Sequence, residues 1–419
     1  MDLVTERKTC RVCGLNKLVP ILSLGEQYVT NFVDSPETEA FKGPLSLVLC
    51  KVSNGGCGLL QLQHTFNHDV LYKKYWYQSG ISTTMVAALG DVVTKAQEIV
   101  PLSKGDIVVD IGANDGTLLR QYDSLKQVRT IGFEPSNLYA MGEKGTTKIF
   151  NTYFGSEVFK REFGEQKAKI ITAISMFYDL EDPNTFVGDA SQILDKNGVF
   201  IIQMNYLATM LESNTFDNIS HEHLEYYSLF SLENLLRRHN LEVFDLELND
   251  VNGGSIRVYV KHKGANVKAF PGAAERVKKQ QELEKTLGLE DQKVYDEFAH
   301  RIDSIKQKLV AFLKQEVAAG KKIYIYGAST RGLVVLQYAG IDNALIAAAT
   351  DKNQDKWGKY IVGTGIPIVS IDQYRSDKPD YLFVLPYHFL SEIKKQEAQF
   401  MSKGGKLIVA IPDFKVIEK

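Results

Sequence analysis

Cysteine is nearly absent from this 419-residue chain: there are four, and none lies beyond residue 57. That excludes a disulfide scaffold for most of the protein. Neither sign of charge is in excess, with 49 Lys and Arg against 51 Asp and Glu. A net charge of −2 excludes a broad cationic surface of the kind that binds nucleic acid or an anionic membrane. No apolar run is long enough to cross a bilayer. The first ten residues, MDLVTERKTC, lack the apolar centre of a signal peptide, so the reading expects a cytoplasmic protein. Histidine is scarce too, with 8 in the chain. What is present is ordinary for a globular protein, 44% apolar and 24% charged. At roughly 100–200 residues per domain, the length predicts two to four domains.

The four cysteines are clustered. Cys10 and Cys13 form a Cys-x-x-Cys pair, and Cys50 and Cys57 form a second pair around a Gly-rich gap, KVSNGG. In a reducing compartment this grouping suits a closed tetrahedral zinc site better than disulfides. Free or redox thiols are the alternative, but no thioredoxin-like strand–helix context surrounds Cys10 and Cys13. Four thiolates leave no open position, so the zinc would be structural. Residues 1–75, rich in turns, are therefore expected to form a small metal-stapled module.

Beyond the module the pattern alternates. The spacing of 82–100 predicts a helix capped by Ser82. Apolar runs at 107–109, 130–133, 169–177 and 198–203 predict strands, with a helix between Asp182 and Leu194. Residues 242–248 and 255–261 predict further strands, and Ser231 is expected to cap a helix carrying Leu232, Leu235 and Leu236. A charged segment, 266–319, predicts a helical linker packed through Leu and Val positions. Another strand–turn–helix opens at 322–332, followed by strands at 344–350, 381–385 and 407–411. This order predicts parallel, doubly wound α/β sheets in two regions, 76–265 and 320–419, with ligands beyond the C-terminal strand ends. Asp110, Glu134, Phe177, Tyr178 and Asn205 fall at such ends.

The first strand runs into Asp-Ile-Gly-Ala-Asn-Asp-Gly, residues 110–116. Small residues there, Gly112 and Gly116 around Asn114, let a ligand lie against the backbone. Glu134, ending the next strand, can grip ribose hydroxyls. The Gly-x-Gly-x-x-Gly spacing is missing, and Asp110 and Asp115 would repel a pyrophosphate. They suit a ligand with a ribose and a positive charge. The pattern resembles motif I of the class I methyltransferases, whose ligand is S-adenosylmethionine (SAM).

Two of the histidines flank one glutamate in Ser220-His221-Glu222-His223. Read as an extended segment, His221 and His223 point to one side and Glu222 to the other. Three roles stay open: a general base oriented by a carboxylate, a metal pair, or structural histidines. In the C-terminal region, Gly327, Ser329, Arg331 and Gly332 sit where a helix N-terminus can receive phosphate. That turn alone could also suggest a nicotinamide cofactor.

The cysteine set, DIGANDG, HEHLEYYSL, Gly253-Gly254-Ser255-Ile256-Arg257, YGASTRG and DKNQDKWGKYIVGTGIPI occur in one order. Over nearly the whole chain this series resembles the sugar C-methyltransferases that make branched deoxysugars. The resemblance implies one monomer with an N-terminal zinc module, a class I methyltransferase core and a C-terminal Rossmann-like domain. It implies a nucleotide-linked 4-keto-6-deoxyhexose as substrate, methylated at C3 through an enolate. His223 matches the family's base and Glu222 its neighbouring acid, with His221 beside them. Tyr77, in the segment ending at Ser79, matches a pocket tyrosine. The C-terminal domain, through Ser329 and Arg331, would help hold the nucleotide, and Asn205 and Arg257 would line the pocket. Two positions depart from the family: Ser220 stands where a Tyr is common, and Phe177-Tyr178 where a histidine is usual. Tyr178 could supply the hydrogen bond of that histidine. The alternatives are an O- or N-methyltransferase, a NAD-dependent sugar oxidoreductase and a non-catalytic assembly protein.

Overall fold

A computed structural model describes residues 3–29, 31–67, 71, 77–122 and 128–418. Among these residues, the central body is a seven-stranded sheet. Its order is Leu241–Asn249, Ser255–His262, Leu194–Asn205, Ala168–Ile174, Ile107–Ile111, Arg129–Phe133, Lys148–Phe150. The strands from 148–150 to 194–205 are parallel, whereas 255–262 runs antiparallel to both its neighbours.

Helices cover both faces. On one, Thr83–Ile99 buries Leu89, Val92, Val93, Ala96 and Ile99 against Val108, Ile170, Val199 and Ile201. Its Ser82 accepts from the Met85 amide, as the sequence predicts. Such a cap contributes about 1 kcal/mol, and each large buried aliphatic about 1.5–3 kcal/mol. Packing therefore decides where the helix sits, and the cap decides where it begins. On the other face, Pro183–Ile193 starts at Asp182, whose carboxylate accepts from the Thr185 amide.

Several elements differ from expectation. The strand expected over 169–177 stops at Ile174, because Ser175 adopts φ 57° and turns the chain into a short 3-10 helix, Phe177–Asp179. Ser228, not Ser231, caps the helix Leu229–Arg237; Ser231 is its reciprocal partner. The strand expected over 344–350 is confined to Ala348–Thr350, since Asp342 nucleates a turn over the residues before it. The charged segment forms two helices, Ala273–Leu287 and Gln292–Ala318, separated at Gly288 with φ 68°. The longer one buries a stripe of Tyr295, Phe298, Ile302, Ile305, Leu309 and Leu313 rather than Leu and Val alone.

The N-terminal region joins the other two bodies. Its sheet, Val19–Tyr28, Lys42–Leu49 and Leu60–Leu62, is extended by Glu225–Tyr226 from beyond the histidine segment. Its short strand Phe32–Val33 is the edge of a mixed C-terminal sheet built from 323–326, 348–350, 360–361, 366–369, 381–384, 406–409 and 415–417.

Candidate active site

The turn after Ile107–Ile111 is built for close backbone approach. Gly112, Asn114 and Gly116 have φ of 72°, 52° and 77°. A Cβ on Gly112 would lie 2.9 Å from Met176 Cγ. Glu134 is buried at the next strand end, where it accepts from the Asn114 amide at 2.7 Å and the Ser136 amide at 2.9 Å. Each carboxylate oxygen keeps a second lone pair. Asp110 lies beneath the turn, accepting from Thr172 Oγ1 at 2.6 Å; burial pushes its carboxyl up to about 7. The donor set and the open backbone fit a ribose-bearing ligand such as SAM. The segment before the first helix rests on this turn. Asn114 Oδ1 accepts from the Ser79 amide, Asn114 Nδ2 donates to the Tyr77 carbonyl, and Asp115 accepts from the Gly80 amide. Tyr77 and Ser79 are thus brought to the cofactor turn; the residues just before them, 72–76, lie outside the described residues.

The histidine segment is a turn, not an extended strand: the His223 amide donates to the Ser220 carbonyl at 3.1 Å. The two rings consequently have different surroundings. His221 faces the N-terminal module, with Nε2 3.2 Å from the Gly43 carbonyl and its ring 4.4 Å from that of Phe66. His223 packs edge-on against Tyr178 at 4.4 Å, and its Nδ1 lies 2.7 Å from the Asn218 carbonyl. Burial pushes His223 down to about 4, so the imidazole is neutral near pH 7. A carbonyl only accepts, so Nδ1 carries the proton and Nε2 holds the free lone pair of a base. Burial pushes the Glu222 carboxyl up to about 7. Burial also raises the Tyr178 phenol well above its usual range, within the fields of Asp179, Arg331, Glu222 and Tyr77. Tyr178 and His223 line one small cavity with Asn205 and Asn218, while Glu222 faces another beside Ser220 and Thr330. No cluster of histidine and carboxylate ligands suited to a metal forms around His223 among the described residues.

Other residues singled out in the sequence are placed elsewhere. Phe177 is fully buried against Phe186 and Tyr227, with nothing left to touch a cofactor. The Arg257 guanidinium is committed to Gln203 and Asp91 inside the core. The Ser329 hydroxyl accepts from the Gly332 amide as a helix cap. Arg331 is held by Asp217, Asn252 and Tyr387 rather than open at the helix terminus. Asn205 donates to Asn218 Oδ1, and its own side-chain Oδ1 is buried with no partner among the described residues. Ser220 lines a crevice with Glu222, Gln27, Asn31 and Thr330. Asp217 and Asn218 escaped the sequence reading, since a lone Asp-Asn in a loop carries no pattern.

The thiols of Cys10, Cys13, Cys50 and Cys57 all lie within 4.8 Å of one another, with Cys10–Cys57 at 3.5 Å and Cys13–Cys50 at 3.4 Å. Zn–S bonds of about 2.3 Å in a tetrahedron need separations close to these, so the set fits zinc.

Comparison with known proteins follows the same three parts. A domain family described as zinc binding matches residues 10–72, a methyltransferase domain 85–246, and a C-methyltransferase C-terminal domain 250–412. The C-methyltransferase NovU of Streptomyces niveus is 30% identical, covering 99% of this chain and 98% of its own. Among solved structures, an S-adenosylmethionine-dependent methyltransferase of Clostridium acetobutylicum aligns with 15% identity over 43% of this chain and 92% of its own, at a TM-score of 0.33. A Haloferax volcanii methyltransferase in complex with the Trm112 activator aligns with 16% identity over 43% and 95%, at 0.33. Overlaps that partial carry no argument about this site. The match to NovU spans both chains almost end to end, and the protein belongs to this C-methyltransferase family as an S-adenosylmethionine-dependent methyltransferase.

Proposed function

We propose that the enzyme methylates a carbon beside the ketone of a nucleotide-linked 4-keto-6-deoxyhexose, at C3, in branched-sugar biosynthesis. The single observation that supports this most is His223, a neutral imidazole with Nδ1 on a carbonyl and no hydrogen-bond partner at Nε2 among the described residues. Transfer to oxygen or nitrogen needs alignment more than a base; transfer to carbon needs a proton removed first. His223 takes the proton from C3, leaving an enolate. Tyr178, whose phenol stays protonated, donates a hydrogen bond to the enolate oxygen. Glu222 and Tyr77 hold sugar hydroxyls, and the ring lies on the side of His223 shared with Tyr178, Asn205 and Asn218. Asp110, Gly112, Asn114, Gly116 and Glu134 would hold SAM, which supplies an electrophilic methyl when bound. Cys10, Cys13, Cys50 and Cys57 would hold one structural zinc. We read 1–75, 76–265, 266–319 and 320–419 as module, core, linker and C-terminal domain of one monomer.

The test is methyl transfer over a panel of 4-keto-6-deoxyhexoses linked to TDP, GDP or CDP, read by mass spectrometry. Addition of one methyl group at carbon, and none to the 4-hydroxy counterparts, is expected. Methylation on oxygen alone, or binding of NAD in preference to SAM, would overturn the reading.

A further inference from the structure

The base is held by a turn that the C-terminal domain grips. Phe216–Asn218 forms one short 3-10 turn. Its Asn218 carbonyl accepts from His223 Nδ1 at 2.7 Å, while the Asn218 side chain is fixed by Asn205 at 2.7 Å and Thr215 at 3.2 Å. The preceding residue, Asp217, is 2% exposed, and a carboxylate so buried has to be paired. Its partner comes from the helix Thr330–Ala339, 114 residues away. Arg331 Nε and Nη2 converge on Asp217 Oδ2 at 2.8 and 2.7 Å, and the Tyr387 hydroxyl donates to Oδ1 at 3.1 Å. The same guanidinium reaches the Asn252 carbonyl, and Asn252 Nδ2 donates to Ser175 Oγ at 3.1 Å, beside the strand end that precedes Tyr178. The Phe216 ring also packs on Tyr338 of that helix at 5.5 Å.

We propose that Arg331 is a positioning residue for the base: paired with Asp217, it fixes the 216–218 turn so that the Asn218 carbonyl holds the His223 ring in one tautomer. This rests on reading His223 as the base. An imidazole released from that carbonyl can place its proton on either nitrogen, and the Nε2–H form has no lone pair where the substrate proton is taken. The guanidinium already engages Asp217, Asn252 and Tyr387 through all three of its nitrogens. Its work is therefore separable from nucleotide binding, and the C-terminal domain contributes to the chemistry through the ring it steadies.

The experiment uses the full chain labelled with 15N-histidine, with the His223 signals assigned through His223→Gln. Long-range proton–nitrogen spectra of wild type are expected to show the Nδ1–H tautomer alone. Arg331→Met and Asp217→Asn should show both tautomers. In the same variants, kcat for the keto-sugar substrate found above should fall about 10- to 100-fold, the scale of a small misplacement, with KM for SAM within about twofold. Arg331→Lys keeps an ion pair to Asp217 and should recover most of the rate. Calorimetry with TDP, GDP and CDP should give the same affinities in wild type and Arg331→Met. A single tautomer in a folded Arg331→Met protein overturns the proposal, as does loss of nucleotide affinity with the tautomer intact, which would make Arg331 a phosphate ligand. If Arg331→Met does not fold, Asp217→Asn, which keeps an acceptor, decides by the same spectra. Failure of wild type to methylate any keto sugar would overturn the functional reading instead, and the tautomer result would stand apart from it.

Discussion

Glu134 offers the sharpest test of the cofactor site. Its carboxylate accepts two backbone N–H groups, from Asn114 and Ser136, and is 6% exposed. Removing it in Glu134→Ala leaves two buried donors unpaired, each at a cost of about 1–3 kcal/mol, so part of the damage falls on the turn itself. Loss of hydrogen bonds from ribose hydroxyls to a charged group adds roughly 1–3 kcal/mol to the weakening of SAM binding. At 1.4 kcal/mol per tenfold, that is a dissociation constant raised about 5- to 150-fold. Glu134→Gln keeps the shape and one acceptor oxygen but turns an NH2 toward a backbone N–H, and it should fall between wild type and Glu134→Ala. Isothermal calorimetry with SAM reads the affinity. Thermal melts without ligand read the share that comes from collapse of the turn. If Glu134→Ala binds SAM as wild type does, the assignment of this carboxylate to the ribose fails, however the melts behave.

Three further outcomes are expected. His223→Ala should lose about 10²–10⁴ in methyl-transfer rate while binding SAM normally, and should stop solvent deuterium entering the sugar carbon in the absence of SAM; exchange at the wild-type rate would pass the role to Tyr178 or His221. Elemental analysis should find about one zinc per chain, and its chelation should lower the melting temperature; folded, metal-free protein with four titratable thiols would refute the site. Burial pushes the His221 imidazole from 6.5 down to about 4, so the unfolded chain binds the extra proton between those values. The stability this gives is complete above pH 6.5 and is lost as pH falls through 6.5 toward 4, by up to about 3 kcal/mol. His221→Gln should flatten that slope in urea melts at several pH values, and an unchanged slope would show that His221 does not titrate on unfolding.

Where local chemistry decides, the sequence was readable. Ser82 and Asp182 mark helix starts because a side-chain oxygen two or three residues ahead of an amide is a local matter. The strand at 107–111 and the acid after 129–133 were legible because parallel strands are continuous apolar runs. The histidine segment was not. Its conformation is set by Gly43, 178 residues away, and by Asn218, so alternation along the chain misjudged which way the rings point. Ser175 likewise ends its strand through a positive φ held by Asn252, 77 residues on. Phe177 looked like a ligand contact because it follows a strand, but the short helix there turns it into the core. Arg331 sits in a turn that resembles a phosphate cradle, and only the distant Asp217 shows that its charge is already spent.

The strand Phe32–Val33 closes the edge of a sheet whose other members lie beyond residue 320. The ribosome therefore makes the first seam of that sheet about three hundred residues before its counterpart. Pairing so distant in sequence is slow, and until Tyr360–Ile361 emerges the 32–33 strand lacks its ladder partner while, in a protein truncated at the N-terminal side, the ladder at Tyr360–Ile361 would lie open. An uncovered sheet edge invites pairing between molecules. Separate expression of the C-terminal portion should thus yield sticky material rather than a soluble domain, and co-expression with the first 67 residues should act as a cure in trans.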